Sequence, residues 1–428
     1  MERIHIFDNR AQIVDLALVF AAGTTRDPKG LEGLSYVASE MLLRGTAKYD
    51  RQGIREAIDF LGTSLSAEVG NLTLQVTGDS STRNLDQLVE LVRQILLEPT
   101  FPLDELEKVK RQTIAESSEV RDSDSACAGL FFTQLLFHEH PLGHPMRGYA
   151  SSVKAITRDD IVSYRERNVI KKNLVMGTAG NVSDKEALHH LAPVLTAMPE
   201  GDDIEPLPAV PAGVEGLDVV LVARTGQTQA QIVIGQEGIP GSHPDLFPLL
   251  VSITGFGGTF TSVLVREIRE KRGWSYGVSA GMIPGRDTGV FRIRYAPKTE
   301  DVVPSIELTL KLLSSLQSGG LEAEHMNFAR EYLVNQYPFM VEAPYKRMNL
   351  IIRSRLTGKP LDYAEDFIRY VQGVTDEAAA DAMGRWLVPK RQKIVVVGDP
   401  SLEKKLARLA GVSRVRVFDY SHDGPLES

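Results

Sequence analysis

Short apolar segments alternate with longer segments of helical periodicity along the chain. Residues 13–20 and 230–235 have the apolar or alternating character of strands. Residues 34–43, 84–97 and 103–121 carry apolar side chains at intervals of three and four positions, which predicts helices. This mixture of strands and long helices predicts an α+β fold.

A segment near residue 160 recurs near residue 380. An ungapped offset of 218 positions aligns residues 153–157 with 371–375 and places Gly180 on Gly398. Each copy has a Thr-x-(Asp/Glu) helix start, a polar helix, and a short apolar strand that ends at the glycine. The chain is therefore predicted to contain a duplication.

Between the two copies lies a segment rich in proline, glycine and acidic residues, which disfavours regular structure. We predict a linker at residues 199–216, an N-terminal domain at 1–198 and a C-terminal domain at 217–428. Each domain is expected to be a mostly antiparallel sheet with helices on one face.

The chain has 428 residues, with 48 basic and 56 acidic side chains and a net charge of −8. Because it has no long basic run, nucleic acid is not an expected partner. No apolar stretch reaches the roughly 18 residues that a membrane helix needs. The first residues lack the features of a secretory signal, so we expect a cytoplasmic protein, or a periplasmic one if the N-terminus is a processed or cloned start.

Few residues outside the motifs described next suggest chemistry. A single cysteine, Cys127, cannot form an intramolecular disulfide and is predicted to be a small core residue. His138, His140 and His144 could bind a metal, but the proline after His140 favours a structural turn. Residues 255–258 are glycine-rich, yet no Gly-Lys-Ser/Thr follows, so a phosphate loop is not predicted.

Residues 33–46 resemble the zinc-binding helix of the pitrilysin/insulinase/mitochondrial-processing-peptidase family, whose pattern is G-x-x-H-x-x-E-H-M followed by G-T. The frame is kept, but Tyr36 and Glu40 stand where the two histidines belong and Ser39 stands where the general-base glutamate belongs. The family's third ligand, a glutamate, corresponds to Glu116. Two imidazoles four residues apart can share a Zn²⁺ ion, whereas these residues supply no imidazole and no base. We therefore expect no metal in this chain, and a solvated or salt-bridged role for Glu116.

The resemblance extends through nearly the whole chain. Residues 264–277 resemble the family's L-R-E-x-x-G-x-x-Y element, in which an arginine and a tyrosine act on the zinc site of the opposite half. Arg269 and Tyr276 hold those two places. They are expected to lie at the end of a helix (260–271) and on the strand that follows Gly273. A guanidinium and a phenol there could bind a peptide carbonyl and stabilise the oxyanion that forms on it.

The glycine-rich turn before this element also matches the family's pattern on its non-zinc side. By the same resemblance, Gly257, Gly258 and Thr259 are candidate substrate-binding residues.

In two-chain members of this family, one subunit carries H-x-x-E-H and its partner carries the Arg/Tyr pair. The resemblance therefore implies a zinc-free subunit of a heteromeric zinc endopeptidase, with zinc in a homologous partner and a peptide or small unfolded protein as substrate. Two alternatives stay open. One is a structural role, as in the related core subunits of respiratory complexes, and the other is a peptide-binding or chaperone-like homodimer.

Overall fold

A computed structural model describes residues 1–203, 205–210 and 216–426. The strands, in chain order, are β1 (Glu2–Phe7), β2 (Ile13–Phe20), β3 (Ser64–Val69), β4 (Leu74–Ser81), β5 (Leu174–Gly180), β6 (Leu217–Ala223), β7 (Gln231–Glu237), β8 (Val278–Ile283), β9 (Val290–Tyr295), β10 (Lys393–Gly398) and β11 (Val412–Asp419).

The helices of the first half, in chain order, are α1 (Leu34–Met41), α2 (Arg51–Leu61), α3 (Leu85–Leu97), α4 (Leu103–Asp122), α5 (Asp124–Phe137), α6 (Ala150–Ala155), α7 (Arg158–Asn168) and α8 (Asp184–Ala197). Those of the second half are α9 (Leu246–Ile253), α10 (Val302–Gly319), α11 (Ala323–Val341), α12 (Pro344–Leu356), α13 (Tyr363–Gln372), α14 (Asp376–Trp386) and α15 (Glu403–Leu406). Two π-helical segments, Thr254–Gly258 and Val265–Glu270, lie between α9 and β8.

The chain forms two compact units. Unit 1 comprises Met1–Ser118, His144–Pro208 and Val341–Arg353, and unit 2 comprises Glu119–Gly143, Ala209–Met340 and Ser354–Ser428. The predicted linker lies partly outside the described residues, and its described part contains no helix or strand. The domain boundaries at 198 and 217 stay a prediction.

Unit 1 is built on a five-stranded sheet in the order β1-β5-β2-β4-β3, in which only β1 and β5 run parallel. Its core combines apolar side chains of β2, α1 and α3, such as Leu18, Val37 and Leu88, all of which are inaccessible to solvent. Burial of this apolar face holds the helices against the sheet. Strand β3 lies at the edge of the sheet.

Unit 2 is built on a six-stranded sheet in the order β11-β6-β10-β7-β9-β8. The first three of these strands run parallel, and the others pair antiparallel. The central strand β10 is buried along its whole length, as the apolar run Ile394–Val397 requires, and its first residue, Lys393, pairs with the buried Asp218 at 3.4 Å. Helix α5 packs on β10 and β7 through residues that include Cys127 and Phe132.

The two sheets show the duplication that the sequence predicts. Strands β6-β10-β7-β9-β8 of unit 2 have the order and pairing directions of β1-β5-β2-β4-β3 of unit 1, and β11 is an addition. Helices α7 and α14 begin and end at positions separated by the predicted offset, and each is capped by a threonine, Thr157 or Thr375. The predicted α+β class is confirmed. No helix in the described part of the chain is long and apolar enough to cross a membrane.

Candidate functional site

The degenerate zinc motif lies on α1, whose start is held by a buried carboxylate. The Asp27 side chain accepts hydrogen bonds from the backbone N–H groups of Gly33 and Ser35, each at 2.8 Å. Two glycines with positive φ, Gly33 (95°) and Gly148 (69°), let the segment that carries Arg147 approach this helix start. A Cβ atom on Gly148 would lie 1.8 Å from the carbonyl oxygen of Glu32. This close approach brings Arg147 beside the motif.

The three family zinc-ligand positions, Tyr36, Glu40 and Glu116, do not converge on a metal. The Tyr36 hydroxyl donates to Glu116 Oε2 at 2.8 Å, and Arg147 Nε donates to the same oxygen at 3.0 Å. Gln112 donates to the other carboxylate oxygen at 2.8 Å. The Arg147 guanidinium also lies 5.0 Å from the centre of the Tyr36 ring. The salt-bridged role expected for Glu116 is confirmed.

The protonation states of this network follow from its hydrogen bonds. Partial burial, together with the bond to Glu116, raises the pKa of Tyr36 to about 12, so the phenol stays a donor at ordinary pH. Burial opposes ionisation of Glu116, but the bonds from Gln112, Tyr36 and Arg147 outweigh it and hold its pKa below the ordinary value. A phenol, a carboxylate and a guanidinium therefore form a satisfied set with one negative and one positive charge.

The other two motif positions are also engaged. Ser39 is buried, and its hydroxyl donates to the carbonyl of Tyr36 at 2.8 Å. Glu40 pairs with Arg44 one turn later at 3.2 Å, and Arg44 lies 3.6 Å from Glu105. Zinc prefers imidazole or thiolate ligands in tetrahedral geometry, and this set offers neither. The residues of this chain do not fit the family's metal.

No group of His, Cys, Asp and Glu side chains capable of holding a metal occurs in the ranges that the structure describes. The histidine near residue 140 has a structural contact instead, since His140 Nδ1 accepts the backbone N–H of Leu142 at 3.1 Å. Cys127 is fully buried in the core of unit 2, as the sequence predicts.

Arg269 and Tyr276 of unit 2 are brought together, Arg269 near the end of a helical segment as the sequence predicts, but Tyr276 outside the strand expected for it. Arg269 lies in the π-helical segment Val265–Glu270, and Tyr276 lies in an irregular stretch before β8 begins at Val278. The Arg269 guanidinium is 5.3 Å from the centre of the Tyr276 ring and 5.9 Å from that of Phe260. The expectation of a strand at residue 276 is therefore wrong, because the Ser275 hydroxyl bonds the carbonyl of Gly277 and the backbone holds a bend there, so that β8 begins only at Val278.

The turn between Arg269 and Tyr276 is held by specific contacts. Gly273 has a φ of 63° and ends the helical segment. Ser275 is buried; its hydroxyl donates to the carbonyl of Gly277 at 2.6 Å and accepts the backbone N–H of Ala296 at 2.9 Å. With Ser275 anchored inward, the next side chain, Tyr276, is left 91% exposed.

The pair is available for a ligand. The Arg269 guanidinium forms no hydrogen bond or ion pair with any residue that the structure describes, and the Tyr276 hydroxyl likewise has no partner there. Phe260, 81% exposed, completes the cluster. Sequence reasoning did not single out Phe260 or Arg147, and neither position is specified by the family motif. A half-buried guanidinium between two exposed aromatic rings can bind an oxyanion while keeping a fixed direction.

The candidate substrate-binding residues before this element have mixed roles. Gly257 is buried against β8, where an added Cβ would lie 2.5 Å from the Cβ of Ala280. Gly258 is exposed with ordinary space around it, and the Thr259 hydroxyl is buried without a hydrogen-bond partner among the described residues. Gly257 is thus needed for packing, while a binding role for Gly258 and Thr259 stays a prediction.

Two models of one peptidase family match successive parts of the chain. "Insulinase (Peptidase family M16)" matches residues 4–149, and "Peptidase M16 inactive domain" matches residues 155–333. Together these matches cover well over half of the chain. The chain belongs to peptidase family M16. The resemblance read from the motifs is confirmed, and this member of M16 departs from the family's zinc motif at Tyr36, Ser39 and Glu40.

Relatives within M16 carry names of two kinds. An uncharacterized zinc protease of Mycobacterium leprae is 24% identical over 90% of this chain and 87% of the relative. The non-peptidase homolog YmxG of Helicobacter pylori is 23% identical over 83% of this chain and 82% of the relative.

Solved structures show the same fold. A peptidase M16 inactive domain from Pseudomonas fluorescens has a TM-score of 0.87 at 24% identity and covers 93% of this chain and 95% of its own. A chain of complex III₂ from Candida albicans has a TM-score of 0.77 at 15% identity, with 92% and 93% covered. These similarities establish the two-sheet M16 architecture.

Proposed function

We propose that this chain is the zinc-free subunit of a heteromeric zinc endopeptidase, in which it supplies Arg269 and Tyr276 and half of an enclosed peptide chamber. The observation that carries the proposal is the cluster of half-buried Arg269 and exposed Tyr276, whose guanidinium and hydroxyl have no partner among the described residues. Exposed aromatic side chains beside an unpaired arginine, held by buried anchors, are typical of binding sites rather than of packing.

The state of the zinc motif supports a divided active site. At Tyr36, Glu116 and Arg147 a hydrogen-bonded network takes the place of metal ligands. This chain therefore offers no zinc-bound water of its own, and a homologous H-x-x-E-H subunit would supply zinc, base and water. A chain that has the Arg/Tyr pair but lacks the zinc motif fits a subunit that acts on a partner's site.

The chemistry assigned to the pair is electrostatic. When a peptide carbonyl is attacked, negative charge develops on its oxygen, and donors already in place stabilise that charge without reorganisation. The Arg269 guanidinium would donate to this oxygen or to the neighbouring carbonyl, and the Tyr276 hydroxyl would donate beside it. The exposed Phe260 ring limits the directions that the guanidinium can take.

The test combines this chain with an H-x-x-E-H chain, first sought in the adjacent reading frame, and measures kcat/KM for an unfolded peptide. Arg269→Ala and Tyr276→Phe should each lower kcat/KM, by about 10²-fold for Arg269→Ala, as expected for removal of an oxyanion donor. Arg286→Ala, an exposed arginine in the β8–β9 turn, is the matched control and should leave the rate unchanged. Cleavage that is unaffected by both site variants would contradict the proposal, as would zinc-dependent cleavage by this chain alone.

A structural or chaperone-like role is the second candidate. Two findings favour it: one relative is named a non-peptidase homolog, and one structural neighbour is a chain of complex III₂. A complex that assembles but whose partner cleaves peptides equally well with wild type and with Arg269→Ala would support this role. Binding of unfolded protein by a homodimer of this chain would support the chaperone-like version.

A further inference from the structure

Strand β9 carries two arginines with a common orientation. Arg292 and Arg294 alternate along the strand with the buried residues Phe291, Ile293 and Tyr295, so both guanidinium groups project from the opposite face of the sheet. Both side chains are half-buried. The two charges therefore lie on one face, two positions apart.

No carboxylate neutralises this pair within the described chain. Neither arginine forms an ion pair there, and Arg294 Nε is buried without a hydrogen-bond partner. Glu237 of β7, opposite Val290 in the register, is the acidic residue of the adjoining strand on this face, and it forms no ion pair with either arginine in the described part of the chain. The sole carboxylate of α5, Asp124, pairs with Arg224 at 2.5 Å.

Burial lowers the pKa of both arginines, and for Arg292 the charge of Arg294 contributes further. Such unpaired, partly desolvated cations destabilise a fold unless an anion compensates them. Two such cations at alternate positions of one strand therefore indicate a place where an anion would be stabilised.

The surroundings leave room for an anion. On β8, the residues opposite Arg294 and Arg292 are Ser279 and Gly281, and a Cβ on Gly281 would have nothing within 4 Å. On α5, the residue beside Arg294 is Gly129, whose added Cβ would lie 3.6 Å from Arg294 Nη2. Small residues thus border the pair on both sides.

The adjoining strand β8 is an edge strand. In the described part of unit 2 it pairs with β9 alone, so its outer backbone groups are free to accept another strand. A strand added to β8 would place alternate side chains on the face that carries Arg292 and Arg294, because side chains alternate between the faces of a sheet.

We propose that an extended peptide with acidic side chains at alternate positions adds to edge strand β8, and that its carboxylates bind Arg292 and Arg294. The inference rests on the proposed function, because it names the class of peptide that would bind to this chain's part of the chamber. The overall charge of the chain does not favour binding of an acidic peptide, since the net charge is −8. A preference for acidic peptides must then come from a local site.

The test measures binding of fluorescent ten-residue peptides to the full-length chain alone, by anisotropy at low salt. One peptide carries Glu at two alternate positions, a second carries Gln there, and a third carries Lys. The Glu peptide should bind at least about tenfold more tightly than the Gln peptide. Arg292→Gln/Arg294→Gln should abolish the difference, while Arg286→Gln should keep it. The preference should also weaken as salt is added.

Equal affinity of wild type for the Glu and Gln peptides would overturn the inference, and so would an equal loss in Arg286→Gln. Competition by inorganic phosphate as effective as by the Glu peptide would show a simple anion site and refute the extended-peptide assignment. If the double Gln variant does not fold, Arg292→Lys/Arg294→Lys can replace it. This variant keeps the charge but loses bidentate hydrogen bonding to a carboxylate, and it should weaken the preference for the Glu peptide.

The two proposals can fail separately. Arg269→Ala should leave the Glu preference intact, so normal acidic-peptide binding with unaltered cleavage rejects only the proposed function. If wild type shows no preference for the Glu peptide but cleavage still depends on Arg269, only the present inference is rejected.

Discussion

Tyr36→Phe tests whether the network at the former zinc position stabilises unit 1. The change removes a hydroxyl that donates to Glu116 at 2.8 Å and leaves the ring in place. A hydrogen bond to a charged acceptor contributes about 1.5–3 kcal/mol to the free energy of unfolding. Since the Glu116 side chain is 29% exposed, we expect the lower end, about 1.5 kcal/mol.

Glu116→Gln gives the second edge of a double-mutant cycle. It removes the ion pair with Arg147, at 3.0 Å between side chains that are 34% and 29% exposed, and should cost about 1 kcal/mol in addition to weakening the Tyr36 bond. Because the two residues share one hydrogen bond, the double variant should be about 1 kcal/mol more stable than the sum of the two single-variant losses predicts.

The assay is urea unfolding followed by far-ultraviolet circular dichroism. Both tryptophans, Trp274 and Trp386, belong to unit 2, so tryptophan fluorescence alone would follow the unfolding of unit 2 and not that of unit 1. A coupling energy below about 0.3 kcal/mol would refute the network as a stabilising unit.

The pH dependence supplies a second check. The pKa of Glu116 is below its ordinary value of about 4.3, so its contribution is fully present above that pH and is lost as pH falls through the folded-state pKa. The cost of Tyr36→Phe should be constant from about pH 5 to 8 and smaller below about pH 4. A cost that does not change at low pH would contradict the assignment of a charged acceptor.

Three further predictions concern other sites. Burial, with the like charge of Asp79 on the paired strand, raises the pKa of Asp15 to about 6, so wild type should lose stability as pH rises from about 4 to 6. Asp15→Asn should therefore add about 1–2 kcal/mol at pH 7.5 but little at pH 4, by urea unfolding, and equal gains at both pH values would contradict this. Gly257→Ala should lower the melting temperature of unit 2, monitored by tryptophan fluorescence, because its Cβ would overlap Ala280, whereas Gly258→Ala should not; similar effects of the two would refute the packing argument. Burial raises the pKa of Cys127 to about 11, so a thiol reagent at pH 8 should label it only after denaturation; rapid native labelling would be the opposing result.

Much of the architecture could be predicted because its signals are local. The repeated helix and strand near residues 160 and 380 were identified from threonine caps, apolar runs and terminal glycines, and the structure places α7 and α14 at the predicted offset. Helix starts and strand ends depend on neighbouring residues, so a single sequence specifies them.

Other features depend on residues that are distant along the chain. Arg147 lies 31 positions from Glu116, and no sequence interval links them; the pairing requires Gly148 to approach the start of α1. Tyr276 lies off the strand in a bend held by Ser275, whose hydroxyl accepts the backbone N–H of Ala296, 21 positions away, and periodicity does not reveal such a contact. Likewise, the unpaired state of Arg292 and Arg294 appears only when the neighbouring strands and α5 are assembled.

The sequence by itself determined the family, the α+β class, the duplication and the loss of the zinc ligands, because each is written in residue identity and short spacing. The tertiary structure decided what occupies the ligand positions, how Arg269 and Tyr276 meet, and where charge is left uncompensated. Those outcomes depend on distances between side chains from separate segments, and packing sets such distances only when the whole fold has formed.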